Sequence, residues 1–145
     1  MKALIQRVKR ASVTINNELY SKIGFGLLVF LGVEKGDTIE NAKLLADKLS
    51  KLRIFEDENE KMNLSIKDVK GEMLVVSQFT LAGDCKKGTR PSFDKAAPPD
   101  IAKKLYEDFV ELIKTYDIPT QTGQFQAMME VELINDGPVT FMVEK

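Results

Sequence analysis

The strongest constraint on the fold is a continuous apolar run, LLVFLGV, at residues 27–33. An apolar run of this length, with glycine and charge at its borders, is typical of a β-strand buried inside a sheet. A second run of the same kind, EMLVVSQ, occupies residues 72–78. The chain is therefore expected to fold around a sheet that contains these two buried strands.

Amphipathic periodicity predicts two main helices. Asp37 or Thr38 can N-cap a helix that continues to about Leu52, because apolar residues recur there on one helical face. A second helix is expected to begin at the Pro98-Pro99 pair, since proline suits a first helical turn, and to continue to about Tyr116.

Shorter apolar patterns predict the other strands of the sheet, at residues 1–8, 11–15, 18–23, 118–122, 125–134 and 139–144, with one more short strand in RIFEDENEKMN. The parity of the apolar residues changes between the first two strands, so a bulge is expected near Lys9-Arg10. Asn16-Asn17 is expected to form a hairpin turn. These elements predict one α+β domain over residues 1–145 with a mostly antiparallel sheet.

Histidine is absent from the sequence, and Cys85 is its only cysteine. These counts exclude Ser-His-Asp and Cys-His catalysis, imidazole metal ligands and a cysteine zinc site. They also exclude an internal disulfide, so the cytoplasm is the simplest location. The net charge of −1 argues against a wholly basic nucleic-acid-binding surface but permits a local basic patch. The sequence predicts no metal, no cofactor and no membrane partner.

Polar residues follow the second buried strand directly, at Ser77, Gln78, Phe79 and Thr80. Functional groups are common where a strand feeds a loop, and hydroxyls, an amide and backbone N–H groups can bind a polar substrate or an oxyanion. The alternative is a strand that becomes polar where it reaches the surface. The local pattern alone favours that alternative.

The segment 83–98 has no periodicity and is long for a structureless loop, which is often a sign of function. Its cations Lys86, Lys87 and Arg90 can bind phosphate together with backbone N–H groups near Gly88. A solvated loop explains the same composition, and by itself it is the favoured interpretation.

A Gly137-Pro138 pair lies between the last two predicted strands, within NDGPVTF. These residue types are common in turns, so a plain turn is the simplest interpretation. Proline also gives this bond access to the cis form, in about 5–6% of folded cases.

Taken together, SQFTL at residues 77–81 and NDGPVT at residues 135–140 resemble the SQxxL and NxGPVT motifs of the D-aminoacyl-tRNA deacylase family. The similarity also extends, in order and spacing, over MKALIQRV, LLVFLGVEKGDT, KLRIFEDENEKMNLS, KKGTRPSF and TGQFQAMMEVELI, so it covers essentially the whole chain. Ser77 separates the chain from the related animal-type tRNA deacylase, which has proline there. Gln126 departs from the glycine that the family often has after Phe125.

The resemblance implies a homodimer of α+β, barrel-like subunits that cleaves the ester between tRNA and a D-amino acid, or glycine mischarged on tRNA-Ala. It implies that Gly137 and Pro138, joined by a cis bond, reach into the partner subunit's site. There their carbonyls would exclude an L-side chain by steric collision, while a D-side chain or a glycine hydrogen fits.

The resemblance also implies that side chains are not the main acid–base groups, which accounts for the missing histidine. The 2′-hydroxyl of the terminal ribose is expected to help to activate water, and the protein to supply oxyanion donors. The best donors are the N–H groups around Phe79 and Thr80, with Ser77 and Gln78 shaping the pocket. The Thr80 hydroxyl as a nucleophile is the second choice, because no base is visible for it.

Three further positions match family residues. Arg7 is expected to fix the Gly-Pro carbonyls, and Phe125 and Met129 to line the pocket of the terminal adenosine. Ordinary core residues are the alternative for the last two. The competing functions are a non-catalytic RNA-binding module and hydrolysis of another D-amino-acid ester.

Overall fold

The computed structural model describes residues 1–145 as an α+β fold. Eight strands occur at Lys2–Ile15 (β1), Glu18–Ile23 (β2), Gly26–Gly32 (β3), Phe55–Glu56 (β4), Met62–Leu64 (β5), Glu72–Ser77 (β6), Thr120–Thr122 (β7) and Glu130–Glu144 (β8). Two helices occur at Ile39–Lys51 (α1) and Pro99–Lys114 (α2), and a 3-10 turn at Phe79–Ala82. Both helices end one or two residues before the predicted positions.

The sheet is mixed, with the order β2-β1-β3-β6-β7 and with β8 on the other edge of β1. Its pairs with β1 are antiparallel, whereas β3–β6 and β6–β7 are parallel. Three of the five strand pairs in this sheet are antiparallel, so the prediction of a mostly antiparallel sheet is confirmed in part, whereas the two parallel pairs were not predicted. The parallel pair is possible because the connection from β3 to β6 contains α1, which crosses over the sheet.

The sheet curls into a nearly closed barrel. The Ser21 hydroxyl in β2 donates to the carbonyl oxygen of Thr122 in β7 at 2.7 Å, which links the two ends of the strand order. A separate small sheet, β4–β5, lies outside this path.

Both faces of the central strands are buried, which explains the uninterrupted apolar runs. Leu27, Val29 and Leu31 belong to the large core cluster beneath the helices, together with Leu45 of α1 and Phe109 of α2. The alternate residues of the same strands enter a second cluster on the opposite face: Val8, Ala11, Val13, Ile23, Leu28, Leu74 and Val76. A strand covered on both sides has no polar face, so it shows no alternation.

The predicted strand boundaries need correction in several places. The last two predicted strands belong to one strand, β8, and two short strands, β4 and β5, occur where one was predicted. The first two strands form one strand, β1, whose register against β8 shifts between Val8 and Arg10, so the expected bulge is confirmed. Residues 125–129 are not strand. They form a turn in which Gln126 has a φ of 62°, a left-handed conformation that interrupts a β-strand.

The last strand, β8, is the longest at 15 residues and pairs only with β1. Its outer edge is therefore unpaired, and Phe141 and Met142 on it are exposed. No helix of the structure is long and apolar enough to span a membrane.

Candidate active site

The SQFTL segment lies where β6 leaves the sheet. Gln78 still donates its backbone N–H to Leu31 of β3 at 2.8 Å, and the 3-10 turn begins at the next residue. The first residues of such a turn have backbone N–H groups without a partner inside the turn. Phe79 and Thr80 are those residues, and both are exposed. Their N–H groups are thus placed to donate hydrogen bonds to an anion.

The Thr80 hydroxyl oxygen accepts a hydrogen bond from the side-chain amide N–H of Gln78. An amide N–H donates a hydrogen bond and does not take up a proton. This contact orients the hydroxyl, but it does not provide the base that a threonine nucleophile requires.

A cleft of about 560 Å³ lies beside this segment, and its size is that of a small-molecule site. Three parts of the chain form it: the end of β6 with Ser77, Gln78 and Phe79, the turn from Phe125 to Met129, and the start of α2. Nine of its thirteen lining residues are hydrophobic. The structure therefore brings the SQFTL residues together with Phe125 and Met129, which lie about fifty positions later.

Phe125 and Met129 are positioned by their neighbours rather than buried in a strand. The Phe125 ring lies 6.0 Å from the ring of Tyr106 in α2, and Met129 packs against the backbone of Gly123. The Tyr106 hydroxyl donates to the carbonyl oxygen of Val75 at 2.8 Å. Burial raises the pKa of Tyr106 well above its usual value, so this hydroxyl keeps its proton. Sequence reasoning missed Tyr106, because its spacing on α2 is that of a core residue.

Gly137 and Pro138 do not form a plain turn between two strands. Val8 pairs with Asn135 and Gln6 with Thr140, so the chain from 136 to 139 leaves the ladder as a wide bulge within β8. The Gly137–Pro138 bond is cis, and both residues are exposed. Neither residue lines the cleft of its own chain.

The bulge is closed by the side chain of Asn135. Its Oδ1 accepts from the backbone N–H of Val139 at 2.7 Å, and its Nδ2 donates to Oγ1 of Thr140 at 2.9 Å. Gly137 has a φ of +138°, and an added Cβ would lie 2.7 Å from Cγ2 of Val139. Only glycine fits this position without a shift of the backbone.

Arg7 is buried beneath the bulge. Its Nε donates to the carbonyl oxygen of Asp136 at 3.0 Å, and its Nη1 donates to the carbonyl oxygen of Ile54 at 2.9 Å. Glu56 approaches Nη2 at 3.5 Å. The bonded carbonyl is thus the one that precedes Gly137. Glu56 belongs to an acidic stretch that reads as a solvated turn, so its role beside Arg7 is not visible in the sequence.

Lys86, Lys87 and Arg90 do not line the cleft; all three are exposed on the loop that follows the 3-10 turn. Backbone bonds between Asp84 and Ser92, at 2.7 and 3.0 Å, close the base of this loop. Ala97, later in the same loop, does line the cleft, so the cations lie on a segment that borders it.

The fold and this cleft define a single-domain α+β protein with two helices and a nearly closed, barrel-like mixed sheet, whose polar strand end faces an apolar pocket. The family model described as D-Tyr-tRNA(Tyr) deacylase matches residues 4–144. The chain belongs to this family, which confirms the resemblance stated above.

Relatives named D-aminoacyl-tRNA deacylase are identical to this chain at more than half of the aligned positions. The D-aminoacyl-tRNA deacylase of Thermodesulfovibrio yellowstonii is 59% identical over 143 residues, covering 99% of this chain and 98% of the relative. That of Geobacter sulfurreducens is 60% identical over 144 residues, covering 99% and 95%.

Two solved structures are similar over nearly the whole chain. A c-Myc DNA Unwinding Element Binding Protein has a TM-score of 0.95 at 43% identity, covering 100% of this chain and 99% of that chain. A probable eukaryotic D-amino acid tRNA deacylase has a TM-score of 0.85 at 18% identity, covering 99% and 98%, and supports the fold alone.

Proposed function

We propose that this protein hydrolyses the ester bond of D-aminoacyl-tRNA and releases free tRNA and the D-amino acid. The observation that carries the proposal is the cleft, in which the family's SQxxL segment meets Phe125 and Met129. The whole chain, residues 1–145, acts as one deacylase domain in the cytoplasm, without metal or cofactor.

In this proposal the terminal adenosine occupies the apolar cleft between Phe125 and Met129. An aromatic ring and a thioether suit the faces of a base, and stacking on an aromatic side chain is worth about 1–3 kcal/mol. Ser77 and Gln78 border the same cleft and shape the end that holds the ester.

The N–H groups of Phe79 and Thr80 stabilise the oxyanion that forms when water attacks the ester carbonyl. Backbone donors at the start of a 3-10 turn are fixed before the reaction begins, so they cost no reorganisation. The 2′-hydroxyl of the substrate's own ribose assists the attacking water. This division of roles suits a chain that has no histidine.

Chiral selection comes from Gly137 and Pro138 of a second subunit. Both are exposed on a rigid bulge and lie outside the cleft of their own chain, so they are free to enter a neighbouring one. The unpaired edge of β8 and the exposed Phe141 beside it favour a homodimer, because such an edge is normally covered. Glycine esters, including glycine mischarged on tRNA-Ala, would pass the same filter.

Lys86, Lys87 and Arg90 contact phosphates of the acceptor end. A local cluster of cations is sufficient, since only one end of the tRNA must be held, and it is compatible with a net charge of −1.

The test compares D-tyrosyl-tRNA with L-tyrosyl-tRNA at equal enzyme concentration. Rapid, multiple-turnover loss of the D-ester with the L-ester left intact is the expected result. Equal rates for both esters would reject chiral selection. Release of no more than one equivalent per subunit would favour a non-catalytic binding module, and equal hydrolysis of a free D-tyrosine ester would favour a general D-ester hydrolase.

A further inference from the structure

Two exposed phenylalanines form an aromatic pair at the mouth of the cleft. The ring centroids of Phe79 and Phe93 are 5.2 Å apart with an interplanar angle of 56°. The exposed fractions are 56% for Phe79 and 40% for Phe93. Phe79 also lines the cleft, so the pair extends the apolar surface from the pocket onto the outside of the protein.

Phe93 is held in place although it is exposed. Ser92, the residue before it, is fixed by the two backbone bonds to Asp84, and the Phe93 carbonyl oxygen accepts from Ala96 at 3.0 Å. The ring lies against Gly83, where an added Cβ would come within 3.1 Å of its Cε1. A rigid exposed ring loses little conformational entropy on binding, which is the property of a recognition residue rather than of a loose loop.

The loop that carries Phe93 has a net positive charge, because Lys86, Lys87, Arg90 and Lys95 outnumber Asp84 and Asp94. The loop tip between Asp84 and Ser92 carries Lys86, Lys87 and Arg90 and contains no acidic residue. Exposed aromatic rings beside a basic segment are the combination by which proteins hold single-stranded nucleic acid, with bases on the rings and phosphates on the cations.

We infer that Phe79 and Phe93 form a stacking platform for the unpaired base that precedes the terminal adenosine of the substrate. The inference rests on the proposed function, which places that adenosine in the adjoining cleft. The phosphate between the two nucleotides then faces the basic loop tip. Because every base has a π-face, the platform accepts any base and adds affinity without sequence specificity.

The experiment uses two D-tyrosyl esters that differ in one base. One is carried by cytidylyl-adenosine, and the other by the same dinucleotide with an abasic ribose in place of the cytidine. We expect wild-type kcat/KM to be higher for the cytidine ester by about fivefold to 150-fold, the range of a stacked base. Phe93→Leu should lose this preference, whereas Phe93→Tyr, which retains the ring, should keep it.

Phe25→Leu is the matched control. Phe25 is 42% exposed and also pairs with another ring, that of Phe55, at 5.3 Å. The carbonyl oxygen of Phe25 accepts a hydrogen bond from the backbone N–H of Glu72 at the start of β6, whereas Phe79 follows the end of this strand. The two aromatic pairs therefore lie at opposite ends of β6. The control variant should retain the preference for the cytidine ester.

The platform is rejected if the wild type shows no preference between the two esters, or if Phe93→Leu lowers both rates equally. It is also rejected if Phe93→Leu weakens the dimer in sedimentation equilibrium while the preference persists, since the pair would then be an interface between subunits. Calorimetric binding of the two uncharged dinucleotides tests the platform separately from catalysis. A preference in binding without hydrolysis of any D-ester would reject the proposed function and retain the platform.

Discussion

The guanidinium of Arg7 holds Asp136 by both its main chain and its side chain. Nε lies 3.0 Å from the carbonyl oxygen of Asp136 and 3.2 Å from its Oδ2. Asp136 is the residue before Gly137, so a buried cation in the first strand fixes the start of the bulge in the last strand. The position of the Gly137-Pro138 pair therefore depends on Arg7.

Arg7→Lys should destabilise the protein and lower the hydrolysis of D-aminoacyl-tRNA. An ammonium group retains the charge but cannot reach Asp136, Ile54 and Glu56 from one planar fork. The expected loss is about 2–3 kcal/mol in the free energy of unfolding, because hydrogen bonds to a charged group are lost. Urea unfolding measures it, with Arg53→Lys at an exposed arginine as control. Equal stability of the two variants would contradict this role.

Asn135→Ala should loosen the bulge itself. The variant loses the bonds to the Val139 N–H and the Thr140 hydroxyl, so the chain between them is no longer closed. We expect a loss of about 1–2 kcal/mol in stability and a smaller ratio of D-ester to L-ester hydrolysis. Asn59→Ala, at an exposed residue, is the control. An unchanged ratio with reduced stability would show that Asn135 is structural only.

The sequence identifies the Gly137-Pro138 motif but does not predict the geometry of the chain around it. The composition NDGPVTF indicates a turn between two strands, whereas the chain forms a bulge within one strand, because β1 offers partners to both ends of it. Glu56 and Arg7 are 49 positions apart, so their proximity follows only from the packing of β4 near β1. The contact of Arg7 with the Ile54 carbonyl oxygen could not be predicted from residue types, because every residue has a backbone carbonyl.

The central strands were predictable, because both of their faces are buried and an uninterrupted apolar run of seven residues is typical of such a strand. Their parallel pairing was not, since the run looks the same in either direction. Residues 125–129 were predicted as the start of a strand, and four of these five residues are apolar. In the structure they line the cleft rather than join the sheet.

Thr80→Val tests whether the threonine contributes its side chain or its backbone. The variant removes the hydroxyl, keeps the N–H group and nearly preserves the shape of the side chain. If the backbone stabilises the oxyanion, kcat for D-tyrosyl-tRNA should fall by less than about tenfold, well below the 10²–10³-fold loss typical of a deleted oxyanion donor. A loss of activity that Thr80→Ser restores would instead favour the hydroxyl as nucleophile.

Tyr106→Phe should cost about 0.5–1.5 kcal/mol at neutral pH, the usual net value of one hydrogen bond. The loss is limited because the Val75 carbonyl oxygen also accepts from the N–H of Gly123 at 3.0 Å. Burial raises the pKa of Tyr106 above its unfolded value, so the contribution to stability is full below about pH 10 and decreases above it, where only the unfolded chain loses the proton. Urea unfolding of wild type and variant should therefore converge as the pH rises past this value. A constant difference would contradict the raised pKa.

Substitutions of Gln126 test whether the turn that carries Phe125 needs glycine at this position. Gln126 has a φ of 62°, where an L-residue loses about 1–2 kcal/mol, but glycine would lose about 0.5–1 kcal/mol more backbone entropy on folding. These effects nearly cancel, so Gln126→Gly should change the free energy of unfolding by less than about 1 kcal/mol. Gln126→Val should destabilise the protein by more than Gln124→Val, a control at an exposed neighbour outside the left-handed region, because a β-branched side chain fits that region poorly. If the two valine variants are equally stable, the turn does not impose a left-handed residue at position 126, and the position of Phe125 must depend on its contact with Tyr106.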